Sequence, residues 1–185
     1  MGRLILITGG ARSGKSSFAE ETARKLGRSI LYVATAIPFD EEMKDRVRRH
    51  RERRPDGWET VEAYRDLDEK LAGKLKGKAA VLLDCITVMV SNLMLESNMD
   101  WESLGSEEIQ AAETRTGLEI DKLLKVVSAA DIPFILVTNE LGMGVVPPTV
   151  LGRAIRDIGG RANQLLAGAA DEVYLCVSGI PVKIK

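Results

Sequence analysis

The sequence predicts an α/β domain in which a mostly parallel central sheet is flanked on both faces by helices. Three observations carry this. Short, continuously apolar runs recur along the 185 residues, at 4–8, 29–35, 79–83, 135–138 and 172–177. Continuous apolarity, as opposed to alternation, is the pattern of strands buried on both faces. Helical stretches of roughly 10–20 residues separate them, long enough for right-handed crossovers between parallel strands. The first run also opens directly into the glycine-rich octet Gly9-Gly10-Ala11-Arg12-Ser13-Gly14-Lys15-Ser16.

Leu4–Thr8 is the first strand, and Lys15–Leu26 is the helix after the octet. Ser29–Thr35, rich in β-branched residues, reads as the second strand. Asp40–Arg53 is charged and periodic enough for a helix, which Pro55-Asp56-Gly57 ends. Thr60–Glu62 predicts a short strand, and Leu67–Leu75 a helix. Ala79–Leu83, closed by Asp84, is a buried parallel strand. Thr87–Leu95 reads as helix, and the polar, irregular segment 97–106 as an exposed loop. Glu107–Ala130 predicts a long helix with Ile109, Leu118, Leu123, Leu124 and Val127 on its apolar face. Ile135–Thr138 is another strand, Glu140–Pro148 a Gly/Pro loop, and Thr149–Ala167 a helix. Glu172–Val177 is the last main strand. Val182–Ile184 pairs beside it as a short C-terminal strand, for which antiparallel pairing is allowed. Repeats, low-complexity tracts and linkers are absent from the sequence, which predicts one domain.

Composition narrows the function. Apolar residues make up 45% of the chain, enough for a substantial core. A formal net charge of −1 argues against bulk attraction to nucleic acid. No apolar run approaches the roughly 20 residues that cross a bilayer, and Leu4–Ile7 is too short for a signal-peptide core. A cytoplasmic protein is expected. Cys85 and Cys176 each touch an apolar run and belong to no C-x-x-C, so buried free thiols are expected. Two thiols and one histidine do not make a structural zinc site.

The octet fits G-x-x-x-x-G-K-[ST] at every fixed position, between a strand and a helix as that motif requires. The domain is therefore expected to be P-loop NTPase-like. In such a loop the backbone N–H groups form an anion cradle, and Gly9 and Gly14 permit dihedrals and close approach that a side chain obstructs. Lys15 reaches the β/γ-phosphates, the Ser16 hydroxyl ligates magnesium, and the following helix adds its N-terminal dipole. Arg12 lies either over the phosphates or toward water. A second magnesium-associated carboxylate is expected at the end of a neighbouring strand, where Asp84 stands after five apolar residues. The alternative role for Asp84 is N-cap of the helix near Thr87.

A GTPase switch fits poorly, because Asp84-Cys85-Ile86-Thr87 lacks the glycine of D-x-x-G and Asn139 is not followed by the lysine and aspartate of N-K-x-D. A plain small-molecule kinase leaves Lys44–Arg54 unexplained. That segment holds seven basic and two acidic residues and the chain's one histidine, His50. It is either a solvated amphipathic helix or a second triphosphate-handling surface whose arginines neutralise phosphate charge. In the second case His50 is a nucleophile or acid, with the surrounding cations keeping its imidazole neutral.

With these residues in view, the chain resembles, end to end, the bifunctional adenosylcobinamide kinase/adenosylcobinamide-phosphate guanylyltransferase family of cobalamin biosynthesis. The resemblance is carried by Thr8–Ser16, Tyr32-Val33-Ala34-Thr35-Ala36, Arg46-Val47 with His50, Trp58–Glu62, Leu83–Thr87, Val137–Pro147, Arg156–Gln164 and Val177–Lys183. It implies two reactions. ATP or GTP first phosphorylates adenosylcobinamide. GMP then passes from GTP onto a histidine, with loss of pyrophosphate, and on to adenosylcobinamide phosphate, giving adenosylcobinamide-GDP. That histidine matches His50. Family nucleotide contacts fall on Gly9, Gly10, Ala11, Arg12, Ser13, Gly14, Lys15 and Ser16, on Ala34, Thr35 and Ala36, on Arg51, Glu52, Arg53 and Arg54, and on Glu62 and Asp84. Some members carry a second histidine and a glutamate where Arg49 and Asp84 stand here. The family also implies magnesium and a homotrimer. Asp84 and Glu62 are both candidates for the kinase general base, and Asn139 and Glu140 are either substrate contacts or a tight turn.

Overall fold

The computed structural model describes residues 2–37, 55, 57–96 and 100–185. Its centre is one seven-stranded sheet in the order β3-β2-β4-β5-β1-β6-β7. The strands are β1 Leu4–Gly9, β2 Ile30–Ala34, β3 Glu59–Glu62, β4 Ala80–Asp84, β5 Phe134–Val137, β6 Glu172–Val177 and β7 Ile180–Lys183. Neighbours are parallel except β6 and β7, which form an antiparallel hairpin. The mostly parallel α/β expectation holds, and so does the C-terminal strand, which starts two residues earlier than expected.

The helices are α1 Lys15–Leu26, α2 Leu67–Leu71, α3 Ile86–Leu95, α4 Ser106–Ala129 and α5 Val150–Ala169. Strand residues alternate between two cores. Leu4, Leu6, Leu31, Val33, Val81, Leu83, Phe134 and Leu136 pack under α2 to α5. Ile5, Ile7, Ile30, Tyr32, Leu82, Ile135 and Val137 pack against Ala19 and Ala23 of α1. The continuous apolar runs thus arise because each strand feeds both faces.

Four expectations need correction. The helix expected to reach Leu75 stops at Leu71, because Gly73 and Gly77 take φ of 73° and 76°, outside the helical region. Within the segment read as an exposed loop, Trp101–Ser103 forms a 3-10 turn that buries the Trp101 ring in the larger core. On α4 the buried stripe is Ala112, Thr116, Ile120, Leu123 and Val127, at i+4 and i+3 spacing. Leu118 lies off it and is 57% exposed. The strand carrying Asp84 is also not a neighbour of β1, since β5 lies between them.

Helix ends follow local chemistry. Thr149 caps α5 by accepting from the Gly152 N–H at 3.1 Å, and the Glu108 carboxylate accepts from the Gly105 N–H at 3.0 Å before α4. Cys85 and Cys176 are buried and free, as expected. The helix expected over Asp40–Arg53 lies outside the described residues.

Candidate functional site

One register row crosses the sheet near its C-terminal edge: Glu62, Ala34, Asp84, Val137, Ile7, Tyr174 and Lys183 stand side by side. Beyond Ile7, β1 turns through the glycine-rich octet into α1. The octet and Asp84 therefore share the sheet edge where ligands bind in open α/β folds. At about 4.8 Å per strand, Asp84 stands roughly 10 Å from the β1 axis.

Two of the octet's glycines are required by its backbone. Gly9 has φ 154°, and a Cβ there would lie 2.5 Å from the Cys176 carbonyl oxygen. Gly14 has φ 90°, with a virtual Cβ 3.0 Å from Gly179 Cα. The β6–β7 turn is thus pressed against the loop, and the Gly179 N–H donates to the Ser13 carbonyl at 2.9 Å. Ser178 and Gly179 carry positive φ, as a two-residue hairpin turn needs. The sequence placed this tail in the resemblance but gave it no task. It braces the loop.

The cradle is built for an anion. Helix α1 begins after Gly14 with no side-chain cap and no acidic residue in its first turn, which leaves its N-terminal N–H groups for a ligand. The Ser13 hydroxyl oxygen is buried and takes no hydrogen-bond partner among the described residues. A phosphate oxygen satisfies such a group. Lys15 is buried, and its ammonium donates to the Gly10 carbonyl at 3.0 Å, folded back over the loop. Gly10, Ala11 and Arg12 are exposed on the crest, with Arg12 at φ 57°. Ser16 is half-buried in the first turn of α1.

Asp84 is half-buried, with the Tyr32 hydroxyl 3.4 Å from Oδ2. It does not cap α3: Cys85 occupies that position, without a side-chain capping bond. The Cys85 thiol reports the local field. Burial first, then the charge of Asp84, push its pKa up to about 12, while Lys15 pulls it down. Burial likewise raises the Cys176 thiol against Lys15. Lys15 and Asp84 therefore act on one small region from opposite sides.

Thr35 serves as scaffold. It is buried, donates to the Cys85 carbonyl at 2.8 Å and accepts from the Cys85 N–H at 2.8 Å. Asn92 Nδ2 donates to the Thr35 carbonyl at 2.7 Å. The Thr35 hydroxyl and carbonyl are thereby committed, and its N–H donates to the Asp84 carbonyl at 3.4 Å. Ala34 is buried and Ala36 half-buried beside it. Glu62 is exposed on the edge strand β3. His50, Arg51, Glu52, Arg53 and Arg54 lie outside the described residues, as does Arg49.

A polar cluster ties the segment after β5 to the end of β1. Thr8 Oγ1 donates to Glu140 Oε1 at 2.6 Å, and the Glu140 N–H donates to the Gly9 carbonyl at 3.2 Å. Thr138 Oγ1 donates to Asn163 Oδ1 at 2.6 Å, and the Asn139 N–H donates to Thr87 Oγ1 at 2.8 Å. The tight-turn reading of Asn139-Glu140 is therefore met by backbone and hydroxyl bonds. The following loop exposes Met143, Val145 and Val146 at 76%, 94% and 60%.

The described residues hold no cluster of three or more His, Cys, Asp or Glu suited to enclose a metal. That suits magnesium bound on a nucleotide, which takes one or two protein oxygens and completes its shell with phosphate and water. The Ser16 hydroxyl and Asp84 carboxylate are oxygen donors of that kind. Among the described residues no helix is long and apolar enough to cross a membrane.

Residues 5–184 match the family model described as cobinamide kinase / cobinamide phosphate guanyltransferase. The chain is 45% identical over 182 residues to the bifunctional adenosylcobalamin biosynthesis protein CobU of Escherichia coli (strain K12), covering 98% of this chain and 99% of that one. It is 45% identical over 188 residues to the protein of the same name from Salmonella typhimurium, covering 98% and 99%. It is 36% identical over 180 residues to the bifunctional adenosylcobalamin biosynthesis protein CobP of Pseudomonas aeruginosa, covering 97% and 96%.

Proposed function

The chain belongs to the cobinamide kinase/cobinamide phosphate guanyltransferase family, and from that premise we propose how its residues divide the two reactions. The enzyme is a bifunctional transferase of adenosylcobalamin biosynthesis that uses nucleotide substrates. In the kinase half, the triphosphate of ATP or GTP lies in Gly9–Ser16, and the γ-phosphoryl passes to adenosylcobinamide. In the second half, the His50 imidazole attacks the α-phosphorus of GTP, pyrophosphate leaves, and GMP moves from His50 to adenosylcobinamide phosphate. The product is adenosylcobinamide-GDP.

The observation that carries this reading is the braced cradle, with its orphaned Ser13 hydroxyl, on the same sheet edge as Asp84. One cradle serves both halves. It positions the phosphoryl being transferred in the first, and stabilises departing pyrophosphate in the second, each time with Lys15 and loop N–H donors aimed at developing charge. Ser16 and Asp84 would hold magnesium, which would supply neutralisation of the triphosphate's charge. Ala34, Thr35, Ala36 and Glu62 border the nucleotide, and Arg51, Glu52, Arg53 and Arg54 complete the set of proposed nucleotide contacts. We further propose that the chain acts as one domain within a cytoplasmic homotrimer, with no nucleic-acid partner.

The test is covalent. Protein incubated with magnesium and GTP labelled at the α-phosphorus should retain one GMP after denaturation, and His50→Asn should retain none. Wild-type protein without label, or His50→Asn with equal label, defeats the histidine route.

A further inference from the structure

Three carboxylates lie along the catalytic edge at different reaches from the phosphate loop. Sheet order and a strand spacing of about 4.8 Å place Glu62, four strands from β1, about 19 Å away, and Asp84, two strands away, about 10 Å away. Glu140 follows β5, the strand that pairs directly with β1, and its N–H donates to the Gly9 carbonyl at 3.2 Å. A general base must come within hydrogen-bond reach of the hydroxyl it activates, beside the γ-phosphorus in the cradle.

We infer that Glu140 is the general base of the phosphoryl-transfer half, taking the proton from the hydroxyl of adenosylcobinamide. The inference rests on the kinase assignment above. Its support is the way the carboxylate is held. Oε1 accepts from Thr8 Oγ1 at 2.6 Å and from Asn163 Nδ2 at 3.4 Å, which fixes the side chain's direction. Oε2 accepts from none of the described residues, yet it is not among the buried atoms without a partner. One oxygen is anchored, while the other is neither fully buried nor bonded to a described residue, which leaves it able to take a proton. The turn itself does not depend on the carboxylate. Thr138 N–H to the Ile7 carbonyl, Asn139 N–H to Thr87, and Asn163 Nδ2 to the Asn139 carbonyl hold it.

The step balances as follows. The acceptor O–H bond breaks with its proton going to Oε2. The freed oxygen forms a bond to the γ-phosphorus, and the bond from that phosphorus to the bridging oxygen breaks, its electron pair leaving on the nucleoside diphosphate. Glu140 then returns the proton to solvent. Guanylyl transfer has no hydroxyl to deprotonate, because imidazole and phosphate oxygen are already nucleophilic. Glu140 is therefore specific to the first reaction.

The test uses full-length protein and three variants. Glu140→Gln keeps an acceptor for Thr8 but cannot take a proton. Its kinase kcat should fall by about 10²- to 10⁴-fold, while the KM for ATP and the GMP retained from α-labelled GTP stay near wild type. Thr8→Val removes the same anchoring bond and leaves the carboxylate, so it should lose far less kinase activity. Glu140→Ala should regain turnover when formate is added. The inference is overturned by a Glu140→Gln kcat within tenfold of wild type, by an equal loss in Thr8→Val, by a parallel loss of GMP labelling, or by no response of Glu140→Ala to formate. Wild-type protein that never phosphorylates adenosylcobinamide would instead remove the kinase assignment itself.

Discussion

In the proposed scheme both reactions converge on Lys15. Its ammonium is buried, rests on the Gly10 carbonyl, and shifts the thiols on either side of it. Removing one such preorganised donor costs about 2–4 kcal/mol of transition-state stabilisation, or roughly 30- to 1,000-fold in rate. Lys15→Ala should therefore depress kcat/KM for phosphorylation and for guanylylation together, and steady-state assays of each half check it. Damage to one half alone contradicts a shared cradle. Cys85 makes a second residue-scale prediction. Its folded pKa of about 12 lies above the ordinary 9.0, so folding favours the protonated thiol. The contribution is complete below about pH 9 and is lost as pH climbs toward about 12, at roughly 1 kcal/mol per unit. Urea unfolding between pH 8 and 10.5 should show wild type losing stability more steeply than Cys85→Ala. Equal slopes refute the buried-thiol account.

Thr35 joins two elements, because its hydroxyl both accepts from and donates to the Cys85 backbone and so ties the end of β2 to the end of β4. Thr35→Val keeps the shape and orphans the buried Cys85 N–H, while the Cys85 carbonyl still accepts from the Met89 N–H at 3.1 Å, a loss of about 1–3 kcal/mol. Thr35→Ser, which keeps the hydroxyl, should lose much less; urea midpoints of the two variants decide. At this scale the strands were legible because both faces are covered, which writes Leu4–Ile7 or Ala80–Leu83 as unbroken apolar runs. Strand order was not, since it depends on which crossovers skip a position, and β5 inserting between β1 and β4 leaves no local mark. The phosphate loop was legible because its spacing is local. The bond that anchors Glu140 was not, because its partner Thr8 lies 132 positions away. Trp101 failed for a similar reason: polar neighbours hid a ring that packs on distant core residues.

Across the whole molecule, the cradle and its carboxylates occupy one edge, while the acceptor carries a large corrin ring. The described surface beside Glu140 presents Met143, Val145 and Val146 almost side by side, the middle one 94% exposed. Contiguous apolar exposure of that kind marks a surface covered by a ligand or another chain. In the homotrimer we propose, a second subunit would stand against this loop and the corrin ring would bind between the two. Sedimentation equilibrium should give three times the 20.2 kDa of one chain. Val145→Glu places a charge in the covered surface and should either dissociate that trimer or raise KM for adenosylcobinamide at least tenfold. ATP affinity should hold, since Gly9–Ser16 is braced independently by Gly179. A monomeric wild type, or a Val145→Glu variant unchanged in both mass and acceptor KM, would mean that the apolar loop faces water and that each chain closes its corrinoid site alone.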